Sequence, residues 1–184
     1  AVLDYGEHDT LTGLRNRKTF DTMFLKRLAE LRAAKGEPHW IGVIDIDHFK
    51  RINDRYGHLF GDEVLMLIAR ILRSAFSPGD ILYRFGGEEF VVQMAATPFE
   101  RAMAAFDGLR QRVAEYCFPQ VGQVTVSVGF TAIERNDSPS SAFDRADEAL
   151  YEAKKQGRNR CVASKPDPSR PASGPRVQGE VLLF

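Results

Sequence analysis

The chain has 184 residues, 43% of them hydrophobic, which is enough for one domain with a sizeable core. Its 25 Lys and Arg residues balance its 25 Asp and Glu residues, whereas proteins that bind long nucleic acid usually carry a basic excess. No apolar run approaches the ~20 residues that a membrane-spanning helix needs. We therefore expect no nucleic-acid partner and no membrane contact by this segment. Cys117 and Cys161 lack metal-ligand spacing and are expected to be reduced thiols of a cytoplasmic protein.

The pattern of apolar residues predicts the elements in chain order. Apolar residues recur at helical spacing, or nearly so, over about 17–35, 48–56 (a short helix or turn), 62–75, 98–116 and 140–156. Dense apolar and β-branched runs predict strands over 40–46, 81–84, 89–93, 124–132 and 161–163. Ser140 or Ser141 is expected to cap the last helix and Gly157 to end it. This order predicts an α/β (α+β) fold, in which helices pack against one sheet.

The two ends of the chain differ from its middle in composition. Residues 1–8 are short and polar, and we expect them to be the end of an upstream linker or signalling helix. Because the chain starts at Ala1 and not at Met, we expect a fragment of a longer protein. Residues 165–184 are rich in Pro, Ser and Gly, which predicts a disordered tail. The domain itself is predicted to span residues 9–164.

Two acidic pairs are candidates for metal chemistry. Asp45 and Asp47 follow a buried strand, and Glu88 and Glu89 follow the Gly pair of a predicted hairpin. Either pair alone is as consistent with solvent-exposed carboxylates as with a metal site. If the strand pairs with the hairpin, one Asp and one Glu converge, and carboxylate oxygens suit Mg²⁺ or Mn²⁺ with substrate phosphate completing the coordination.

Other residues fit a nucleotide in the same place. Gly86 and Gly87 would let backbone approach a triphosphate, because no side chain intervenes. The basic candidates are Lys50, Arg84, Lys154 and Arg158. A solvated helix end explains Lys154 and Arg158 equally well, and a surface ion pair explains Arg84. Asn53 and Asp62 could read a guanine edge, or could be an ordinary turn residue and an ordinary first-turn helix residue.

Together these segments resemble the GGDEF family of diguanylate cyclases. The resemblance covers about residues 7–163, and several independent motifs occur in the family's order. The matching segments are 9–17, 45–54, 56–58, 61–62, 84–90, 126–129, 146–151, 153–154 and 157–159.

The resemblance implies a fold, a reaction and roles for residues. The fold would be a central, mainly antiparallel five-stranded sheet flanked by helices, as in the palm of nucleotide cyclases. The reaction would condense two GTP into cyclic di-GMP and two pyrophosphates, each 3′-hydroxyl attacking the partner's α-phosphate across an antiparallel homodimer. The family resemblance further implies a bacterial, cytoplasmic output domain that normally follows an upstream sensory or dimerisation domain.

The same resemblance assigns the site. Two Mg²⁺ (or Mn²⁺) ions per GTP half-site would be bound by Asp45, the Ile46 carbonyl and Glu88, with Glu89 assisting. Glu88 is also a candidate for helping to deprotonate the 3′-hydroxyl. Asn53 and Asp62 would read guanine. The remaining substrate-binding residues would be Phe49, through its amide, and Lys50, Arg84, Gly86, Gly87, Lys154 and Arg158. The catalytic candidates are Asp45, Lys50, Glu88 and Glu89.

Two departures from other family members bear on regulation and specificity. Many members carry an inhibitory Arg-x-x-Asp site for product, but here Ser77 replaces the Arg and only Asp80 remains. Ser lacks the bidentate fork of Arg, so we expect weak or absent feedback inhibition there. Relatives that make a mixed GMP–AMP product carry Ser where this chain has Asp62, so we expect GTP in both halves.

Two functions are alternatives to a diguanylate cyclase. They are a catalytically silent GTP-binding regulatory module and a scaffold that only dimerises.

Overall fold

One mixed sheet with helices on both faces organises the chain. The computed structural model describes residues 6–33 and 36–164, so the predicted tail and residues 1–5 of the predicted linker lie outside the described residues. The strands are β1 (Arg15–Asn16), β2 (Trp40–Ile46), β3 (Ile81–Gly86), β4 (Glu89–Met94), β5 (Val126–Ala132) and β6 (Cys161–Ser164). The helices are α1 (Arg17–Ala33), α2 (Phe49–Tyr56), α3 (His58–Ala75), α4 (Phe99–Glu115) and α5 (Pro139–Lys155).

The sheet order is β1-β3-β4-β2-β5-β6. The four central strands are antiparallel to one another, and each outer strand is parallel to the strand beside it, β1 to β3 and β6 to β5. The predicted α/β class with a mainly antiparallel sheet is confirmed, but the expected count of five strands was one too low. The extra strand is β1, which lies outside the five predicted strands, and its two residues are too few to show the two-residue period of a strand.

Strand β2 lies at the centre and is buried along its whole length. Its side chains alternate between two cores, so that Ile44 and Ile46 pack with α2, α3 and α4 on one face while Ile41 and Val43 pack with α1 and α5 on the other. Burial on both faces explains why the strand reads as a continuous apolar run in the sequence.

Helix α5 lies unusually close to the sheet. A β-carbon on Gly129 of β5 would come within 2.0 Å of the Leu150 amide nitrogen, so only glycine allows this approach. The helix starts at a capping box in which the Ser138 hydroxyl accepts from the Ser141 amide at 3.1 Å and the Ser141 hydroxyl accepts from the Ser138 amide at 2.9 Å. Ser138 is therefore the cap, and the prediction of Ser140 or Ser141 was wrong by two or three residues.

Helix α3 starts four residues before the predicted position 62, directly after Gly57. Gly57 has a φ of 90° and separates α2 from α3, so the two helices form a tight corner. Within the described ranges, no helix is long and apolar enough to cross a membrane.

Candidate active site

The metal-ligand candidates meet where β2 ends. Asp45 is directly opposite Glu89 in the β2–β4 register, and the Ile46 amide donates to the Glu88 carbonyl at 3.3 Å. The structure thus brings together the two acidic segments that the sequence analysis singled out. Asp45 is only 9% exposed, so the predicted site contains a carboxylate that is largely buried.

The surroundings of Asp45 and Glu89 disfavour the ionised forms of the two carboxyl groups. The pKa of Asp45 is raised to about 6, chiefly by burial and also by the charges of Glu88 and Asp47, against the opposing contact with the Lys154 ammonium. Burial, followed by the charges of Asp147 and Asp45, raises the pKa of Glu89 to about 7. Ionised carboxylates held at this cost would be stabilised by a cation.

The candidate ligand atoms are also of the kind that Mg²⁺ or Mn²⁺ binds. Carboxylate and carbonyl oxygens are the ligands that these hard cations prefer. Within the part of the chain that the structure describes, no three His, Cys, Asp or Glu residues form a metal cage by themselves. Mg²⁺ is usually bound by one or two carboxylates together with water and substrate phosphate, so a full protein cage is not required.

The hairpin turn between β3 and β4 is shaped by Arg84. Its guanidinium donates to the Gly87 carbonyl at 2.9 and 3.3 Å, and to the Asp9 carboxylate at 3.0 Å. Gly86 and Gly87 have φ values of 115° and 51° in this turn. Sequence reasoning missed the link to Asp9, although Asp9 opens one of the family motifs. These three hydrogen bonds engage all three nitrogens of the guanidinium. The contact of Arg84 with substrate stays a prediction.

The two guanine candidates lie side by side at the α2–α3 corner. Asn53 is on α2 and Asp62 on α3, and both are partly exposed. A β-carbon on Gly61 would come within 1.9 Å of the Asn53 Oδ1 atom, so the amide of Asn53 rests against the backbone of Gly61, one residue before Asp62. Asn53 therefore packs against the residue that precedes Asp62, and both guanine candidates belong to the α2–α3 corner.

The phosphate candidates come from two helix ends. Lys154, in the last turn of α5, contacts the Asp45 carboxylate. Arg158 follows α5, and the amide of the next residue, Asn159, donates to Asp47 at 3.1 Å, which places this loop beside the end of β2. Lys50 is exposed in the first turn of α2, directly after the buried Phe49. The structure thus collects these cations around the end of β2, with Lys154 on a carboxylate.

Asp47 has a structural setting that sequence reasoning missed. It is 6% exposed and accepts hydrogen bonds from the hydroxyls of Thr125 and Ser127 at 2.7 and 2.6 Å and from the Asn159 amide at 3.1 Å. In the sequence analysis, Asp47 belongs to an acidic pair at a strand end, either exposed to solvent or part of a metal site, and these hydrogen bonds are not predicted. Its partners lie about 80 and 112 residues away in sequence, so no local pattern predicts them.

Asp80 is also occupied by the protein. Its two carboxylate oxygens accept from the Ser77 amide and the Ala95 amide, both at 2.9 Å. The segment 77–80 is therefore a closed turn next to β3, in which Asp80 holds backbone.

Comparison with known proteins identifies the family. The family model described as "Diguanylate cyclase, GGDEF domain" matches residues 6–160. The chain belongs to the GGDEF family. Similar curated proteins include diguanylate cyclase DgcP of Pseudomonas aeruginosa, 44% identical over 155 residues, and diguanylate cyclase DgcM of Escherichia coli, 40% identical over 158 residues. These matches cover 83% and 85% of this chain but 23% and 38% of the two relatives, so this GGDEF domain spans well under half of their length.

Solved structures agree with this assignment. The GGDEF domain of DgcB from Caulobacter crescentus in complex with c-di-GMP matches with a TM-score of 0.79 and 34% identity, covering 89% of this chain and 96% of that one. The active GGEEF domain of a diguanylate cyclase from Vibrio cholerae matches with a TM-score of 0.73 and 36% identity, covering 83% and 98%. The fold and the order of motifs are therefore those of GGDEF domains.

Proposed function

We propose that this GGDEF domain is a diguanylate cyclase, which condenses two GTP into cyclic di-GMP and two pyrophosphates. The observation that carries the proposal is the register of β2 with β4, which sets Asp45 against Glu89 and Ile46 against Glu88 beside the Lys154 ammonium. Carboxylates and cations at one strand end are the groups that phosphoryl transfer uses to neutralise developing charge. The curated relatives named diguanylate cyclase support the same reaction.

The site would hold divalent metal on Asp45, the Ile46 carbonyl, Glu88 and Glu89. Bound there, two Mg²⁺ or Mn²⁺ ions would supply charge stabilisation for the triphosphate and lower the pKa of the attacking hydroxyl. The raised pKa values of Asp45 and Glu89 support a cation at this position.

The chain's own residues orient the substrate. Asn53 and Asp62 hold the guanine edge at the α2–α3 corner, and Asp62 accepts from the N1–H and 2-amino groups that adenine lacks. Glu88 takes the proton of the 3′-hydroxyl. The attacked α-phosphate belongs to the GTP of a second copy, so both copies are needed for the two bonds of the cyclic product.

The cations stabilise the leaving pyrophosphate. Lys50, Arg158 and the Phe49 amide lie around the start of α2, and Lys154 reaches the same region from α5. Because Lys154 contacts Asp45 here, it binds phosphate by exchanging that contact for one with the substrate.

A silent GTP-binding module is the second candidate, and the intact turn from Gly86 to Phe90 argues against it. The test incubates the purified chain with GTP and Mg²⁺, alone and fused to a dimerising coiled coil, and measures cyclic di-GMP and pyrophosphate. We expect product from the dimerised chain, and none from Asp45→Ala or Glu88→Ala variants that melt cooperatively. GTP binding without product in the dimerised form would select the silent module.

We also propose that product does not inhibit this domain through the segment 77–80. Ser77 cannot form the fork that Arg would, and both oxygens of Asp80 already accept from backbone amides. Initial rates measured against added cyclic di-GMP should show no noncompetitive inhibition. Strong noncompetitive inhibition that Asp80→Ala abolishes would contradict the proposal.

A further inference from the structure

Asp47 is a buried carboxylate that the proposed reaction does not use. It lies two residues after Asp45, is 6% exposed, and its three hydrogen bonds come from Thr125, Ser127 and Asn159. Its own amide donates to the Thr125 carbonyl at 2.9 Å. A carboxylate is costly to bury, and none of these three donors is a charged side chain. The hydrogen bonds of Asp47 therefore serve to hold neighbouring segments in place.

The segment that Asp47 holds is the loop after α5, in an uncommon conformation. Gly157, Arg158 and Asn159 have consecutive φ values of 125°, 64° and 48°. Positive φ is unfavourable for the two non-glycine residues, so surrounding contacts have to maintain it. The Asn159 amide donates to Asp47 at 3.1 Å, and the Asn159 carbonyl oxygen of the side chain accepts from Arg110 at 3.1 Å.

Hydrogen bonds hold the backbone at Arg158 and at the residue after it. The Arg158 amide donates to the Ala153 carbonyl at 3.0 Å, and the next residue is tied to Asp47. The direction of the Arg158 side chain therefore depends on the hydrogen bond between the Asn159 amide and the Asp47 carboxylate. Because Asp45 and Asp47 belong to the same chain segment, one strand end fixes both the metal-ligand candidate and the loop of the phosphate-binding candidate.

We propose that Asp47 is a positioning residue for the polyphosphate of the nucleotide, acting through the loop that carries Arg158. This inference rests on the proposed function. It assigns Asp47 no contact with the substrate. Losing its hydrogen bonds lets the loop relax toward ordinary φ values and moves the Arg158 guanidinium away from the β- and γ-phosphates.

Two variants separate hydrogen bonding from charge. Asp47→Ala removes all the side-chain acceptors. Asp47→Asn keeps one oxygen for Thr125 and Asn159, and its amide group can donate to the Ser127 hydroxyl, so the loop stays tied. Asp137→Ala is the matched control, because Asp137 is equally buried at 6% exposure and is bound by Arg145 at the other end of β5.

The test measures binding of α,β-methylene-GTP, which cannot release pyrophosphate, and of GMP, which lacks the β- and γ-phosphates, by calorimetry with Mg²⁺. We expect Asp47→Ala to weaken binding of the GTP analogue by about tenfold, the scale of one lost charge-assisted contact, with GMP changed by less than about twofold. Asp47→Asn should recover most of this loss, and Asp137→Ala should leave both affinities unchanged. In an Arg158→Ala background, Asp47→Ala should cause no further loss.

Equal weakening of both ligands by Asp47→Ala, or an undiminished loss in the Arg158→Ala background, would overturn the inference and leave the proposed function standing. Wild-type chain that binds neither ligand would overturn the proposed function itself. Unchanged affinity in both Asp47 variants, each melting as a folded protein, would equally rule out the positioning role.

Discussion

The close contact between Gly61 and Asn53 provides a direct test of the guanine-reading corner. In Gly61→Ala, the new β-carbon would start 1.9 Å from the Asn53 Oδ1 atom, while an ordinary contact needs at least 3.4 Å. The amide of Asn53 must therefore retreat by about 1.5 Å, the difference between these two distances. A hydrogen bond does not survive a displacement of this size.

The expected loss follows from one broken hydrogen bond to the base. Leaving the matching polar group of the base unpaired in the complex costs about 1–3 kcal/mol. At 1.4 kcal/mol per tenfold, the dissociation constant of α,β-methylene-GTP should rise roughly 5- to 150-fold. Calorimetry on the folded variant measures this constant, and the KM for GTP of the dimerised enzyme should rise in parallel.

Gly108→Ala is the matched control. Gly108 is also in a helix, α4, and a β-carbon there meets no atom within 4 Å. Both substitutions gain about 0.5–1 kcal/mol of helix stability, so only the steric effect differs between them. If Gly61→Ala weakens nucleotide binding no more than Gly108→Ala does, Asn53 does not contribute to base recognition as we argue.

Two further predictions concern stability. Because the folded-state pKa of Glu89 is raised to about 7 from 4.5, its ionised form opposes folding at high pH, and this cost fades as pH falls toward 4.5. Glu89→Gln should therefore raise the free energy of unfolding of metal-free chain by about 2–3 kcal/mol at pH 8 and leave it unchanged at pH 4, as urea titrations in chelator would measure. Arg145 donates twice to the 6%-exposed Asp137, at 2.7 and 2.8 Å, and Arg145→Ala would leave that carboxylate without its cation. We expect Arg145→Ala to cost about 3–5 kcal/mol in the same titrations, with unchanged nucleotide affinity, and a loss below about 1 kcal/mol would show that the pair contributes little.

Much of the fold could be predicted from local pattern. The buried run 40–46 and the glycine-centred hairpin are continuous in sequence and bury apolar faces, so periodicity finds them. The strand Arg15–Asn16 could not be found in this way, because it joins the sheet by pairing with Tyr83 and Arg84 of a distant strand. The start of α3 was missed because His58 and its neighbours are polar or exposed, and the helix there depends on the corner at Gly57.

The candidate site was predicted as a set of residue types, and the structure adds the pairs among them. Motif order placed Asp45, Glu88 and Lys154 in one site, but not the contact of Lys154 with Asp45. The same limit applies to Arg84, whose partner Asp9 is 75 residues earlier. Hydrogen-bond partners at such separations are set by packing of the sheet, which single-sequence patterns do not encode. Asp47 is the clearest case, since its hydrogen-bond partners come from β5, from the residue before β5 and from the loop after α5.

The two outer strands of the sheet bear on how copies of this domain can associate. Strand β1 has two residues, and the described part of β6 has four. A two-residue edge such as β1 offers little template for a strand from another chain, so it disfavours association by extending the sheet on that side. Two domains can then meet and separate at their nucleotide-binding faces without a competing strand exchange. The reaction proposed above needs two copies of the domain, and a short edge of this kind would favour their reversible association.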